Sequence, residues 1–346
     1  MKKPSIKEVA KMANVSTATV SNVFSGRKAV NDELKKRVHE AADLLGYQVN
    51  RVASQLRSQR NRIIAVLVPN LTDTFFATII SNIEDLAFTQ GYDVIVASSH
   101  DQIEIEDSRL KALLRWQPAG VIAIPCSGSL PQALLEIQSK IPVVLVDRVS
   151  TQFCPFDSVT LSNQESGKEA FEHLVKHNHQ HILIAASNLS FPPIQARVDG
   201  CNKVAKTHSL QSEVLELGSD IEEGANILGA WLDSHTQPSA IFALTNVTTL
   251  SALTALAERN IRVGDDISLV AHDDYIWMSA RNVSLTVMKQ PVEQMAHSAW
   301  EQLVERIESE QNNETPTKTV FEAQLVQRDS VRKLATLGAY KEVNNH

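Results

Sequence analysis

The chain has 346 residues, 43% hydrophobic and 5% aromatic, a length for two or three moderate domains and a composition that excludes disorder and collagen-like repeats. Its formal charge of −7 resembles that of an ordinary soluble protein, but divided at residue 62 it separates into +8 for the head (13 Lys and Arg, 5 Asp and Glu) and −15 for the body. A basic head on an acidic body points to a polyanionic partner for the head alone, with the body able to repel it.

The elements of the head come first in chain order. Ser5 followed by Glu8 fits a capping box, and Ile6, Val9, Ala10 and Ala13 recur at helical spacing. Asn14 can turn the chain in a left-handed conformation and Ser16 can cap a second helix. That helix, 17–24, is expected to bury Val20 and Val23 while Thr17, Ala18, Ser21 and Asn22 face away. After Ser25-Gly26, Asn31 or Asp32 can cap a third helix carrying Leu34, Val38, Ala41, Ala42 and Leu45, closed by Gly46. In such a helix-turn-helix unit the second helix enters the major groove with its N-terminal end at the bases. Lys2, Lys3, Lys7, Arg27, Lys28, Lys35, Lys36 and Arg37 are placed to reach phosphates. An amphipathic bundle used only for packing or protein docking is the bland alternative.

Three segments make the pattern specific: Ile6-Lys7-Glu8-Val9-Ala10, Asn14-Val15-Ser16-Thr17-Ala18-Thr19-Val20-Ser21, and Leu45-Gly46-Tyr47-Gln48-Val49-Asn50-Arg51-Val52-Ala53. Together they resemble the DNA-binding headpiece of the LacI/GalR family of bacterial repressors. The resemblance implies that Thr17, Ala18 and Asn22 read bases, with Ser5, Asn14, Ser16, Thr19, Ser21 and Asn50 near phosphates or supporting the helix. It also implies that 50–58, too short for a stable isolated helix, is a hinge that orders on operator DNA. Ala53 would lie against the minor groove and Leu56 would wedge into a base step. Read without the family, Leu56 is an ordinary linker residue.

Beyond Arg62, short apolar runs at 63–68, 92–97, 120–124 and 143–146 alternate with helical patterns near 73–90, 104–116 and 130–139. A second series places strands at 181–185, 214–217, 240–244 and 267–270, with helices near 164–177, 192–207, 221–234 and 246–260. The alternation predicts an α/β core of two doubly wound parallel-sheet subdomains, with ligands bound beyond the strand ends. The resemblance makes this core periplasmic-binding-protein-like and names the effector residues Asn70, Phe75, Phe76, Ser127, Arg148, Arg197 (in an Arg-x-x-Gly arrangement with Gly200), Asn246 and Asp273. Where the family often has acidic residues this chain has Ser162 and Val247. With Arg148 and Arg197 kept, the cleft is expected to be cationic and to favour a sugar acid or sugar phosphate over a neutral sugar.

The expected organisation is a headpiece at 1–49, a hinge at 50–60, a core at 61–330 and a tail at 331–346. The core's N-subdomain takes about 61–162 and 291–323, and its C-subdomain about 163–290 and 324–330. Leu325 to Ser330 resemble the family's last strand, and the 16 residues after them are too few for a tetramerising coiled coil. A homodimer on palindromic DNA is expected. Cys126, Cys154 and Cys201 lie far apart with no Cys-x-x-Cys, Lys7, Glu8 and Lys11 interrupt any secretory leader, and no apolar run spans a membrane. A cytoplasmic protein follows. His173, His177, His179 and His181 crowd together without a zincin motif, and no phosphate loop, Gly-rich dinucleotide loop or nucleophile elbow occurs. No metal, cofactor or enzymatic activity is expected, although a Ser-His-Asp triad is not excluded by inventory. A solute-binding protein and an α/β enzyme remain as rivals to a transcriptional regulator.

Overall fold

The computed structural model describes residues 4–25, 30–47, 61–149, 154–309 and 315–335. Two compact units emerge, Met1–Asn61 and Arg62–His346. In the first, α1 (Ile6–Ala13) begins where the Glu8 carboxylate accepts from the backbone N–H and the hydroxyl of Ser5, at 2.6 and 2.8 Å. It ends at Asn14, whose φ of 52° few other side chains tolerate. The Ser16 hydroxyl accepts from the Thr19 N–H at 3.0 Å to start α2 (Thr17–Ser25). Asn31 caps α3 (Asp32–Leu45), and Gly46 closes it at φ 63°. Val9, Val20 and Val38 are fully buried among Ala10, Ala13, Ala41 and Ala42. Val23, expected inside, is half-buried.

The second unit alternates β1 (Ile63–Val68), α4 (Thr74–Thr89), β2 (Asp93–Ser98), α5 (Ile103–Leu114), β3 (Gly120–Ala123), α6 (Gln132–Ile137), β4 (Val143–Val146) and β5 (Asp157–Leu161). A second series follows: α7 (Asn163–Lys176), β6 (His181–Ala186), α8 (Pro192–His208), β7 (Gln211–Glu216), α9 (Ile221–Ser234), β8 (Ala240–Ala243), α10 (Asn246–Glu258), β9 (Ser268–His272), α11 (Ile276–Ser279) and β10 (Thr286–Lys289). Then α12 (Val292–Glu308) and β11 (Lys318–Phe321) return to the first sheet, and β12 (Gln324–Val326) rejoins the second. The sheets read β11-β5-β4-β3-β1-β2, all parallel, and β12-β10-β9-β8-β6-β7, parallel except for the antiparallel β10–β12 pair. Both faces of each sheet are covered by buried apolar clusters, the arrangement that fully parallel sheets require.

The expected series omitted β5, α11, β10, α12 and β11. β5 is polar where a strand core should be apolar because the buried Asp157 carboxylate pairs with Arg306, at 2.7 and 2.9 Å. The last strand is shorter than expected, ending at Val326. Residues beyond it bond through backbone and side chains outside a regular ladder: the Leu269 N–H donates to the Ser330 carbonyl at 2.9 Å, Ser330 Oγ donates to the Leu269 carbonyl at 2.6 Å, and Arg328 reaches Asp274 at 2.9 Å.

Three histidines are buried in this core, and burial lowers His173, His179 and His272 to about 4. His179 donates from Nε2 to the Arg332 carbonyl at 3.1 Å, tying down the C-terminal segment. A histidine neutral when folded but cationic when unfolded stabilises the fold fully above pH ~6.5, and loses that contribution as pH falls toward 4. Thermal unfolding should therefore show the midpoint falling already between pH 6.5 and 5, above the range where most carboxylates titrate, each histidine removing up to ~3 kcal/mol by pH 4. Asp73, raised to about 6, takes up a proton over the same interval and offsets about one histidine, so a midpoint that rose as pH fell would contradict neutral imidazoles in the folded protein.

Candidate functional site

In the head, Thr17 and Ala18 are exposed at the start of α2, while Ser21 and Asn22, one turn on along the same side, are half-buried. Ser5, Asn14 and Ser16 are exposed, and Thr19 Oγ1 sits 2.9 Å from Ser16 Oγ. The helix thus offers small, uncharged side chains on the face away from Val20. Arg37 departs from expectation. Its guanidinium donates to the Ala13 and Asn14 carbonyls at 2.5 and 3.4 Å, fastening the turn between α1 and α2 rather than reaching for phosphate. Asn50, Ala53 and Leu56, with Lys2, Lys3, Arg27 and Lys28, lie outside the described residues.

Between the two sheets of the second unit lies a small cavity. Its lining comes from the carboxyl ends of parallel strands: Asp147 and Arg148 after β4, Ser187 after β6, Thr245 and Asn246 after β8, Asp273 after β9 and Gln290 after β10. Asp73, Phe75 and Phe76 at the start of α4, and Phe191 and Arg197 at the start of α8, complete it. Asp147 and Asp273 occupy matching strand ends of the two sheets, both with left-handed backbones, φ 62° and 78°. Strain of this kind persists where the surrounding structure over-determines it, commonly at ligand sites.

Arg197 is buried at the centre. Its Nε donates to Asn163 Oδ1 at 2.8 Å and its Nη1 to the Leu244 carbonyl at 2.6 Å. Burial lowers its pKa, and the Asp273 and Asp147 carboxylates oppose that shift. Arg148 is held by Asp101 and by the Cys126 carbonyl at 3.2 Å, its guanidinium 3.9 Å over the Phe191 ring and 5.5 Å from that of Phe76. Burial pushes Asp73 up to about 6 and raises Asp147 as well. Burial acts the same way on Asp273, but hydrogen bonding and charge from His272, Arg197 and Gln290 hold its carboxyl below the ordinary range.

Ser166, His272 and Asp273 stand in a line, Ser166 Oγ 3.0 Å from His272 Nε2 and His272 Nδ1 3.5 Å from Asp273 Oδ1. Ser166 is only 3% exposed and His272 fully buried. No substrate reaches that hydroxyl, and the line backs Asp273 from inside the core. Among the described residues no group of three or more His, Cys, Asp or Glu is placed to hold a metal ion, and no helix is long and apolar enough to cross a membrane.

Of the expected effector residues, Phe75, Phe76, Arg148, Arg197, Asn246 and Asp273 line the cavity. Asn70 and Ser127 do not. Asn70 Oδ1 accepts from the N–H and hydroxyl of Thr72, and Ser127 Oγ from the Ser129 N–H, so each shapes its own loop. Asp73, Ser187, Phe191, Thr245 and Gln290 were not expected there. Nor is the cleft cationic. Asp73, Asp147 and Asp273 line it against two arginines, one of which already holds Asp101. The substitutions at Ser162 and Val247 are offset by Asp147 at the end of β4 and by Asp73 just before α4.

Residues 5–50 match the family described as bacterial regulatory proteins, lacI family, and 171–331 match a periplasmic binding protein-like domain. The ribose operon repressor of Halalkalibacterium halodurans is 30% identical over 319 residues, 91% of this chain and 95% of the relative. The regulator PtxS of Pseudomonas putida is 29% identical, covering 94% and 96%, and the repressor PurR of Aliivibrio salmonicida 27%, covering 95% and 99%. A lac repressor dimer solved with operator and the anti-inducer ONPF superposes with a TM-score of 0.83 at 26% identity, over 96% of this chain and all of the other. With its helix-turn-helix head and two-sheet core, the chain belongs to the LacI family of DNA-binding transcriptional regulators.

Proposed function

We propose that the chain is a homodimeric, cytoplasmic, non-enzymatic repressor of carbohydrate-utilisation genes, its operator affinity set by a sugar, sugar acid or sugar phosphate held between the core subdomains. The observation that carries this reading is the presence, in one chain, of an exposed α2 face and of a cavity ringed by Arg197, Asp147 and Asp273 at strand ends. A solute-binding protein has no use for the head, and an enzyme acting through Ser166 would need it accessible. The boundaries that fit are a headpiece at 1–49, a hinge at 50–60, an N-subdomain of about 61–162 and 291–323, a C-subdomain of about 163–290 and 324–330, and a tail at 331–346. Thr17, Ala18 and Asn22 read bases, Ser5, Asn14, Ser16, Thr19, Ser21 and Asn50 support them, and Ala53 and Leu56 enter the minor groove. Two copies are needed because paired hinges on a palindrome require two-fold symmetry, as in the operator-bound dimer that this chain resembles.

Selection of bound duplexes from a random pool tests this. The recovered site should be two-fold symmetric, and Leu56→Ala should weaken binding to it by about tenfold or more, with little effect on nonspecific DNA. An asymmetric site, or equal losses on both DNAs, would remove the dimer and hinge assignments.

A further inference from the structure

A second and larger cavity, of about 650 Å³, lies where the chain passes between the two sheets, at the β10–α12 and β11–β12 connections. It shares Phe75, Asp273 and Gln290 with the cleft but includes neither Arg148 nor Arg197. Four carboxylates line it, Asp273, Asp274, Glu293 and Glu322, against a single base, Lys289. Arg328 holds Asp274 at 2.8 Å. Glu293 and Glu322 are exposed, and neither carboxylate has a hydrogen bond or ion pair among the described residues. Gln290, only 6% exposed, stands on the wall common to both cavities with its Oε1 unpartnered. Its amide cannot turn to exchange its ends, because Nε2 donates to Asp273 Oδ1 at 2.6 Å. A buried acceptor left unpaired costs ~1–3 kcal/mol, so this wall is built for an incoming donor. Phe75, Tyr275 and Phe321 add aromatic surface, and aromatic faces attract cations held over them. Among the described residues no group of three or more His, Cys, Asp or Glu is placed to hold a metal ion, so the cation that suits these walls is an organic one.

We infer that this second cavity binds a linear di- or polyamine, with one ammonium group at Glu293 and Glu322 and another donating to Gln290 Oε1. The volume falls within the range of small-ligand pockets, and the methylene chain between the ammonium groups lies against the aromatic side chains. An amino acid of the same length suits the cavity less well, because its carboxylate would enter among four others. Lys289 opposes the ligand and limits its affinity. The site stands apart from the effector reading, since it uses neither of the cleft arginines.

The test is isothermal titration calorimetry on the full chain near neutral pH, without DNA, because amines also bind the duplex. The probes are putrescine, cadaverine and spermidine, with L-lysine and 1,5-pentanediol as partners of cadaverine that add a carboxylate or remove both charges. At least one amine should bind saturably, one molecule per chain, with a dissociation constant of about 1 mM or tighter. L-Lysine and 1,5-pentanediol should each bind at least about tenfold more weakly than cadaverine. Replacing both exposed carboxylates, Glu293→Gln with Glu322→Gln, should weaken the amine about tenfold, and Lys289→Gln should tighten it about twofold or more. These side chains are exposed, so the variants should fold. Glu222→Gln with Glu223→Gln makes the same change in net charge on α9, outside the cavity, and should leave the affinity within about twofold. No saturable binding by any of the amines overturns the inference, as does L-lysine or 1,5-pentanediol bound as tightly as cadaverine. Equal losses in the two double variants would show nonspecific attraction to the acidic body and overturn it too, and so would full affinity in the Glu293 and Glu322 variant.

Discussion

Gly200→Ala is expected to lower stability by about 3 kcal/mol or more and to abolish the effector response, although it adds only one methyl group to a core helix. Helices α7 and α8 meet backbone to backbone at two glycines. A Cβ on Gly200 would stand 2.0 Å from the Gln164 carbonyl oxygen, and one on Gly167 would stand 2.1 Å from that of Arg197. Backbone cannot rotate away as a side chain can, so the helices would have to separate by about an ångström in a core packed like a crystal. Arg197 lies one turn before Gly200 on the same helix, and its bonds to Asn163 and Leu244 tolerate no such shift. The Arg-x-x-Gly arrangement noted in the sequence thus has a mechanical cause: the glycine sets the helix spacing that lets the arginine reach across. Calorimetric unfolding of the variant decides the matter; a midpoint within about 2 °C of the parent would show that the helices part without cost.

Arg197→Ala should be equally severe by a different route. It strips the cavity of its central cation, leaves the Leu244 carbonyl and Asn163 without their donor, and leaves Asp147 and Asp273 buried without the charge that opposes them. Breaking a buried ionic cluster from one side typically costs ~3–5 kcal/mol. The folded fraction should still bind operator in the absence of effector, because the head is a separate compact unit with its own core. A variant that kept its stability and its ligand response would show that the cavity is not where the effector acts.

Much of this was legible before any coordinates. Ser5 with Glu8, Asn14, Ser16, Asn31 and Gly46 are local signals whose chemistry acts within a few residues, and each is found at the helix end where it was expected. The alternation of apolar runs with amphipathic stretches was sufficient for two parallel sheets. What was hidden depended on distant partners. β5 escaped because Asp157 is buried by Arg306, 149 residues away in sequence. β10 escaped, and with it Gln290, which lines the cavity from the end of that strand. Arg37 looked like a phosphate ligand because nothing nearby in sequence shows it reaching back to Ala13. The expectation of a cationic cleft failed for a related reason. Counting acidic residues lost at known positions takes no account of Asp73 and Asp147, which two separate loops bring to the same cavity.

The measurement that tests the whole account most directly is fluorescence anisotropy of a labelled duplex carrying the selected site. It is titrated with the full chain in the absence and presence of a saturating sugar that calorimetry has placed in the cleft. The apparent affinity should shift between about fivefold and a hundredfold in one direction, the usual range of allosteric coupling. Arg197→Ala should abolish the shift while leaving the sugar-free affinity in place. Superimposable titrations with and without the sugar, or a shift that persists in Arg197→Ala, would contradict the claim that this cleft governs the grip of the head on DNA.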